Sequence, residues 1–412
     1  MRILLLTPVP PERDGPGAIP ALLYAQLVGL SVRNEVTLIC VAGPDTAEIE
    51  AAERLRTAGF DVHAVVRSAG GGRSAWERRL RLAHGWLVLR RPWRTVWFAD
   101  AGVQPLIDRL LAEREFDVAA AEDDAMGVYS FGERVPAVLT VHELGRTSPL
   151  AASGRLRGPR DLLAQVDWRR WPHYQRAVCR RFALVAVFTE ADRARVATLD
   201  PSLAERVRVT PFGVELPALS DVGVEEPDSL VFAGNYSHPP NIDAAVWLAE
   251  DILPRVQERR PQARLKLVGV HMPPRMRALA ALPGVEVVGE VPTLDPVLAR
   301  AALIMAPIRT GGGMRMKVLH AMAAGRAVVT TPLGAAGLEG GAIPPVAVAS
   351  DAAGLAAVAA DLLADDAARR ALGMRARAFV EQRHGSDAVA RRLEAVYAEA
   401  IDLGRSERRA AA

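Results

Sequence analysis

The chain has 412 residues, 50% of them apolar, with 51 basic and 48 acidic side chains and a formal charge of +3. That length provides for two domains with separate cores. So small a net charge leaves no electrostatic footprint for nucleic acid, though it suits an anionic small molecule. Cys40 and Cys179 lack the partner spacing of a disulfide framework or a zinc site, which predicts a reducing, cytoplasmic location. Met1 to Leu6 is too short to be read as a signal peptide, and no apolar run approaches the roughly 18 residues of a membrane span.

Arg2 to Thr7 is a continuous apolar run and predicts a buried parallel strand. A loop from Pro8 to Gly17, a helix from Ala18 to Leu30, a strand from Val36 to Val41, a helix from Thr46 to Ala58 and a strand from Val62 to Val66 follow. This alternation is the pattern of a doubly wound sheet, whose ligands bind beyond the carboxyl ends of the strands, where Gly15 and Gly17 sit. Gly15-Pro16-Gly17 is also compatible with a plain turn.

Residues 73–97 interleave Trp76, Leu80, Trp86, Leu87 and Leu89 with arginines. Such a stretch either lies on an anionic membrane surface or packs on the sheet with a solvated arginine face. The apolar spacing favours the packed helix.

Strands are predicted again at Val118 to Ala121 and Ala137 to Val141, the second delivering His142 at its carboxyl end. A histidine so placed can donate to a sugar hydroxyl or to developing charge, or serve structure alone. A helix from Asp161 to Arg181 and strands Leu184 to Phe188 and Val207 to Thr210 complete a first domain, residues 1–211. Residues 212–228, poor in large apolar side chains, form the linker. A second series over 229–385 has strands Leu230 to Ala233, Leu265 to Val268, Val285 to Val288, Ala302 to Ala306 and Ala327 to Thr330. Helices are expected at Ile242 to Gln257, Arg275 to Leu282, Ala352 to Ala364, Ala367 to Gln382 and Asp387 to Leu403. Residues 386–404 cross back to the first domain, and the Arg- and Ala-rich residues 405–412 are expected to be disordered. The fold class is α/β, with two doubly wound domains facing a cleft.

The most pointed stretch is Ala306 to Gly325, where a strand runs through Gly311-Gly312-Gly313 into a helix expected to start near Gly313. Bare backbone amides at a helix N-terminus make an anion site, to which the helix adds about half a positive charge and Lys317 a full one. On that helix positions 313, 317 and 320 share one face, so Lys317 and His320 point the same way. Three glycines before a helix can also be only a loop. Lys266 and Lys317 are the only lysines of the chain, which sharpens the choice of lysine here.

Several segments together carry a resemblance to a known group. They are Leu230-Val231-Phe232-Ala233-Gly234 with Pro240-Asn241, Lys266-Leu267-Val268-Gly269, Val285-Glu286-Val287-Val288-Gly289, Gly311 to Lys317, and Thr331-Pro332-Leu333-Gly334. With Pro8 to Gly17 and Thr210 to Glu215 they resemble the glycosyltransferases of the GT-B fold, two Rossmann-like domains, and within them family 4, which are retaining enzymes dependent on nucleotide sugars.

The resemblance implies that Gly234, Asn235, Gly311, Gly312 and Gly313 line the diphosphate and donor sugar, and that Arg315 and Lys317 supply cations. The backbone near Val291 would meet the base, Gly15 and Gly17 would reach the diphosphate, and His142 would contact the donor sugar. The family's paired glutamates fall on Gly312 and His320 here, and its paired glycines in the first loop are split by Pro16. Loss of the first glutamate is typical of a triple-glycine subgroup, while His320 would grip the ribose less firmly than a carboxylate.

No tightly held metal or other cofactor is expected, since helix-terminal amides, Arg315 and Lys317 already supply positive charge. The acceptor and the oligomeric state are not specified by these residues. Two other functions are compatible with the chain: a degenerate transferase that holds a sugar nucleotide without turnover, to which His320 lends support, and a sugar phosphorylase with its pyridoxal phosphate lysine at Lys317. The chain is far shorter than the phosphorylases.

Overall fold

The computed structural model describes the chain except for residues 14, 16, 17, 68–72, 145–147, 149, 151–157, 218–224, 312–314, 339–342 and 412. Of residues 73–75, 77, 78, 407, 410 and 411 it describes the backbone alone. The chain divides into two units, Met1–Phe212 together with Val389–Ala412, and Gly213–Ala388.

In the first unit the strands are β1 (Arg2–Thr7), β2 (Glu35–Ala42), β3 (Asp61–Val66), β4 (Val118–Glu122), β5 (Ala137–Thr140), β6 (Leu184–Val187) and β7 (Val207–Val209). They form one parallel sheet in the order β3-β2-β1-β4-β5-β6-β7. Both faces of β1 are covered, which is why it reads as an unbroken apolar run. Ile3 and Leu5 pack with Val389, Leu393 and Tyr397 of the terminal helix Ser386–Ala411. Leu4 and Leu6 point the other way, to Val103, Ile107 and Leu110 of the helix Val103–Glu113.

The second unit has β8 (Glu226–Ala233), β9 (Arg264–Val268), β10 (Val285–Gly289), β11 (Ala301–Ala306), β12 (Val328–Thr330) and β13 (Ala347–Val348), again parallel, in the order β10-β9-β8-β11-β12-β13. Leu230 and Phe232 of β8 share a core with Ala244, Leu248, Ile252 and Val256 and with Leu355 and Ala359 of the helix Ala352–Ala364. The predicted helix from Ile242 is longer than its apolar pattern, running from Pro239 through a π-helical turn at Leu248–Ile252 to Arg259.

Three expectations are corrected. The helix after the glycines starts at Met316, with Arg315 as its cap residue, and not near Gly313. The tail after Gly404 is not disordered through its described length: the terminal helix runs to Ala411. Arginine, glutamate and alanine are strong helix formers, and Arg408 Nη1 ties the end down by donating to the Arg134 carbonyl at 2.9 Å.

Residues 73–97 do not make one helix packed on the sheet. They break into helix Arg73–Ala83, a π turn His84–Val88 and helix Trp93–Phe98, with Arg90 at a φ of 51°. Gly85 lies so close to the second helix that a Cβ there would stand 2.8 Å from Val96 Cγ1. Trp86 is pinned by its Nε1 donating to Asp167 at 3.0 Å and by Arg170 at 4.2 Å over its ring. A chain folded back on itself in this way cannot lay one continuous stripe on the sheet, and Trp76, Leu80, Leu87, Val88, Leu89, Trp93 and Trp97 stay exposed.

Candidate functional site

In each sheet the chain moves outward from its first strand and then returns to build on the other side, so the order reverses between β1 and β4 and between β8 and β11. Loops diverge at such a point and leave a crevice at the carboxyl ends. In the second unit the crevice is flanked by Gly234-Asn235 after β8 and by Pro307 to Gly311 after β11.

The β8 loop is tied together by its own hydrogen bonds. Asn235 Oδ1 accepts from the Ser237 amide at 2.9 Å and from its hydroxyl at 2.7 Å, and its carbonyl accepts from Asn241 Nδ2 at 2.7 Å. Behind it, Gly269 adopts a φ of +138°, and a Cβ there would overlap the Gly234 carbonyl. Gly311 has a φ of +96° and lies against Pro240, 2.8 Å from where its Cβ would be. Both positions require glycine, one for backbone approach and one for a turn.

Of the eight residues of helix Met316–Ala323 only Lys317 and His320 are not buried, so one narrow stripe emerges from an otherwise apolar helix. Lys317 Nζ donates to Asn241 Oδ1 and lies 4.6 Å from the centre of the Phe232 ring. Burial, and secondly the neighbouring Arg315 cation, push its pKa down to about 7. An ammonium held this way gains from any anion that reaches it.

Arg315 is held by backbone carbonyls. It is buried, donating from Nε to the Leu333 carbonyl at 3.2 Å and from Nη2 to the Gly311 carbonyl at 3.0 Å. It thereby braces the glycine loop against the turn Pro332–Ala335, whose Thr331 cap accepts from the Gly334 amide and donates to the Ile308 carbonyl. Of the residues singled out from sequence, Gly234, Asn235, Gly311, Arg315, Lys317 and His320 thus belong to these loops and this helix. Val291 follows the carboxyl end of β10 and is half-buried. Gly312 and Gly313 lie outside the described residues, as does Gly17. Asn241, which links Lys317 to the β8 loop, was legible only as part of Pro240-Asn241.

In the first unit Gly15 donates its amide to the Glu12 carbonyl at 3.4 Å, with Pro20 Cβ 2.8 Å from where a side chain would begin. His142 follows β5, its side chain almost wholly buried, and its Nε2 meets Glu122 Oε2 at 3.0 Å across the Glu122–Thr140 register pair. Glu122 Oε1 accepts from Gln26 Nε2 at 2.7 Å and Thr140 Oγ1 at 2.8 Å.

Next in the chain, Asp123 has a φ of 77° and is paired with Arg94. Against burial, Arg94 and His142 hold the Asp123 carboxyl below its ordinary range, while burial and the Asp123 charge push Asp124 well above it. Sequence reading did not single out this acidic run, although three acids ending an alanine strand are a visible signal.

Among the described residues no group of three or more His, Cys, Asp or Glu side chains is placed to hold a metal ion, and no helix is long and apolar enough to cross a membrane.

A family model described as Glycosyltransferase Family 4 matches residues 35–217, and one described as Glycosyl transferases group 1 matches residues 227–365. No curated protein matches the chain. Among solved structures, HepE of Anabaena in complex with UDP and glucose aligns with a TM-score of 0.62 at 16% identity, covering 97% of this chain and 100% of that one. Sucrose-phosphate synthase from Thermosynechococcus elongatus aligns with a TM-score of 0.62 at 17% identity over 97% and 99% of the two chains. The N-terminal domain of trehalose-6-phosphate phosphatase from Candida albicans gives 0.63 at 10% identity over 96% of both. At these identities the likeness to the solved structures is one of fold.

Proposed function

The chain belongs to the family 4 glycosyltransferases of the GT-B fold, and on that premise we propose that it moves a sugar from a nucleotide diphosphate sugar to an acceptor with the anomeric configuration kept. The observation that carries the donor assignment is Lys317, a depressed-pKa ammonium at a helix start, held by an amide oxygen and an aromatic face at the strand-order reversal. The diphosphate lies on Lys317 and the amides of Gly234, Asn235 and Gly311 to Gly313, braced by Arg315. His320, one turn along the same stripe, accepts from a ribose hydroxyl, and the backbone near Val291 meets the base. The family resemblance assigns Gly15 and Gly17 to the diphosphate and His142 to the donor sugar. HepE was solved with UDP and with UDP-glucose, which makes uridine diphosphate sugars the first donors to test.

The test is an NMR time course with a donor found by calorimetric screening. A product of retained configuration is expected, and an inverted product would refute the retaining assignment. Transfer is also expected to survive excess chelator, because the amides, Lys317 and the dipole of helix Met316–Ala323 already face the phosphates. Loss of activity with chelator, restored by a divalent cation, would overturn that. Residues 73–97 make peripheral contact with a membrane in this reading, supported by the exposure of Trp76, Trp93 and Trp97.

A further inference from the structure

The break in residues 73–97 creates a feature that sugar transfer does not use. Where helix Arg73–Ala83, the π turn and helix Trp93–Phe98 meet, a cavity of about 410 Å³ opens between Leu80, Gly85, Leu89, Val96 and Ala99. Arg81, Arg91 and His84 also line it, with Asp100, whose Oδ1 is engaged by the Gly102 amide at 2.9 Å. The interior is apolar and the charged groups are mostly cationic, so the cavity has the polarity of an amphiphile with an anionic head.

Its surroundings agree. Trp76, Leu87 and Val88 are 61%, 62% and 66% exposed, and Trp93 and Trp97, one helical turn apart with ring centres 6.4 Å from each other, are 46% and 41% exposed. Between Asp61 and Asp100 the sequence carries eight arginines and one acid, Glu77. Arg94 is paired with Asp123, but large exposed apolar side chains in so arginine-rich a stretch would be costly in water, whereas tryptophan and arginine are both at home in a lipid interface. A protein partner would need matching acids, while an anionic bilayer offers negative charge and hydrocarbon together.

We propose that this cavity and the apolar surface around it bind an anionic lipid, with one acyl chain between Leu80, Leu89 and Val96 and the headgroup on Arg81 and Arg91. This deepens the reading of residues 73–97 as a membrane contact and is independent of the donor site.

The full chain is sedimented with phosphatidylcholine vesicles and with vesicles containing about 30% phosphatidylglycerol. Binding should be at least about tenfold tighter to the anionic vesicles and should weaken steeply as salt rises from about 0.1 to 1 M. Trp93→Ser with Trp97→Ser should lose vesicle binding. Dihexanoyl phosphatidylglycerol below its micelle concentration should bind saturably, glycerol phosphate should not, and Leu89→Asp and Arg91→Glu should each abolish the saturable binding. Unchanged far-ultraviolet circular dichroism and unfolding midpoints in these variants show that they are folded. Vesicle binding without saturable binding of the short-chain lipid overturns the cavity assignment and leaves the membrane contact standing. Equal binding to both vesicle types, or none, overturns the proposal, and neither result touches the donor assignment.

Discussion

Replacing Lys317 by methionine is expected to weaken binding of a nucleotide sugar at pH 6 by about 2–3 kcal/mol, roughly 30- to 150-fold, the worth of one charge-assisted contact. The same change should raise the unfolding midpoint of the unliganded protein at that pH. Both effects come from one half-buried ammonium: desolvation and the nearby Arg315 cation push its pKa down to about 7, against about 10.4 in an unfolded chain.

Between those two values the unfolded chain holds a proton that the folded chain has released. Stability therefore rises with pH across the window, by up to about 1.4 kcal/mol per unit, and below pH 7 the full cost of the charge is present. A bound diphosphate reverses the balance by raising the lysine pKa in the complex. Affinity should be greatest below about pH 7 and then fall by up to about tenfold per pH unit, with a proton taken up on binding. Calorimetry in buffers of different ionisation enthalpy reads that proton directly. Phosphates of a nucleotide sugar do not titrate in this range, and a His320→Gln background leaves Lys317 as the one ionisable side chain of the stripe. Wild-type affinity that stays flat from pH 6 to pH 9 would place the phosphates elsewhere.

Gly269→Ala is expected to destabilise the protein by at least about 3 kcal/mol, a sum of left-handed backbone strain and a collision that no rotamer can relieve. The φ of +138° disfavours any L side chain, and the added Cβ would overlap the Gly234 carbonyl oxygen and stand 2.9 Å from its carbon. The loop displaced is the one that holds Asn241, and through it Lys317, so nucleotide affinity should fall in whatever protein remains folded. Gly289→Ala is the control: its φ of +87° is equally left-handed, but nothing lies within 4 Å of the new atom. That change should cost only about 1–2 kcal/mol. Urea unfolding of the two variants separates strain from collision, and equal losses would show that the close approach is not what Gly269 serves.

Twelve of the thirteen described strands were legible, the inner ones such as β1, β4 and β11 as apolar runs, because a parallel strand covered on both faces has no polar side to show. The thirteenth, β13, is only the pair Ala347–Val348, too short to form a pattern. The stripe of Lys317 and His320 also followed from sequence, since helical spacing decides it wherever the helix begins.

The role of Arg315 did not follow. Its partners are carbonyls of Gly311 and Leu333, and the Leu333 carbonyl arrives from a turn 18 residues further along the chain. His142 was found as the residue after a strand, but its orientation depends on Glu122 in the neighbouring strand, a pairing set by sheet register. Residues 73–97 have the periodicity of a packed helix, yet Pro92 and the contact of Gly85 with Val96 fold them back on themselves and expose Trp76, Trp93 and Trp97. Hydrophobic period and glycine placement are local properties that the sequence alone determined here. Which carbonyl, carboxylate or ring meets a given side chain depends on segments distant in sequence, and that only the tertiary structure decided.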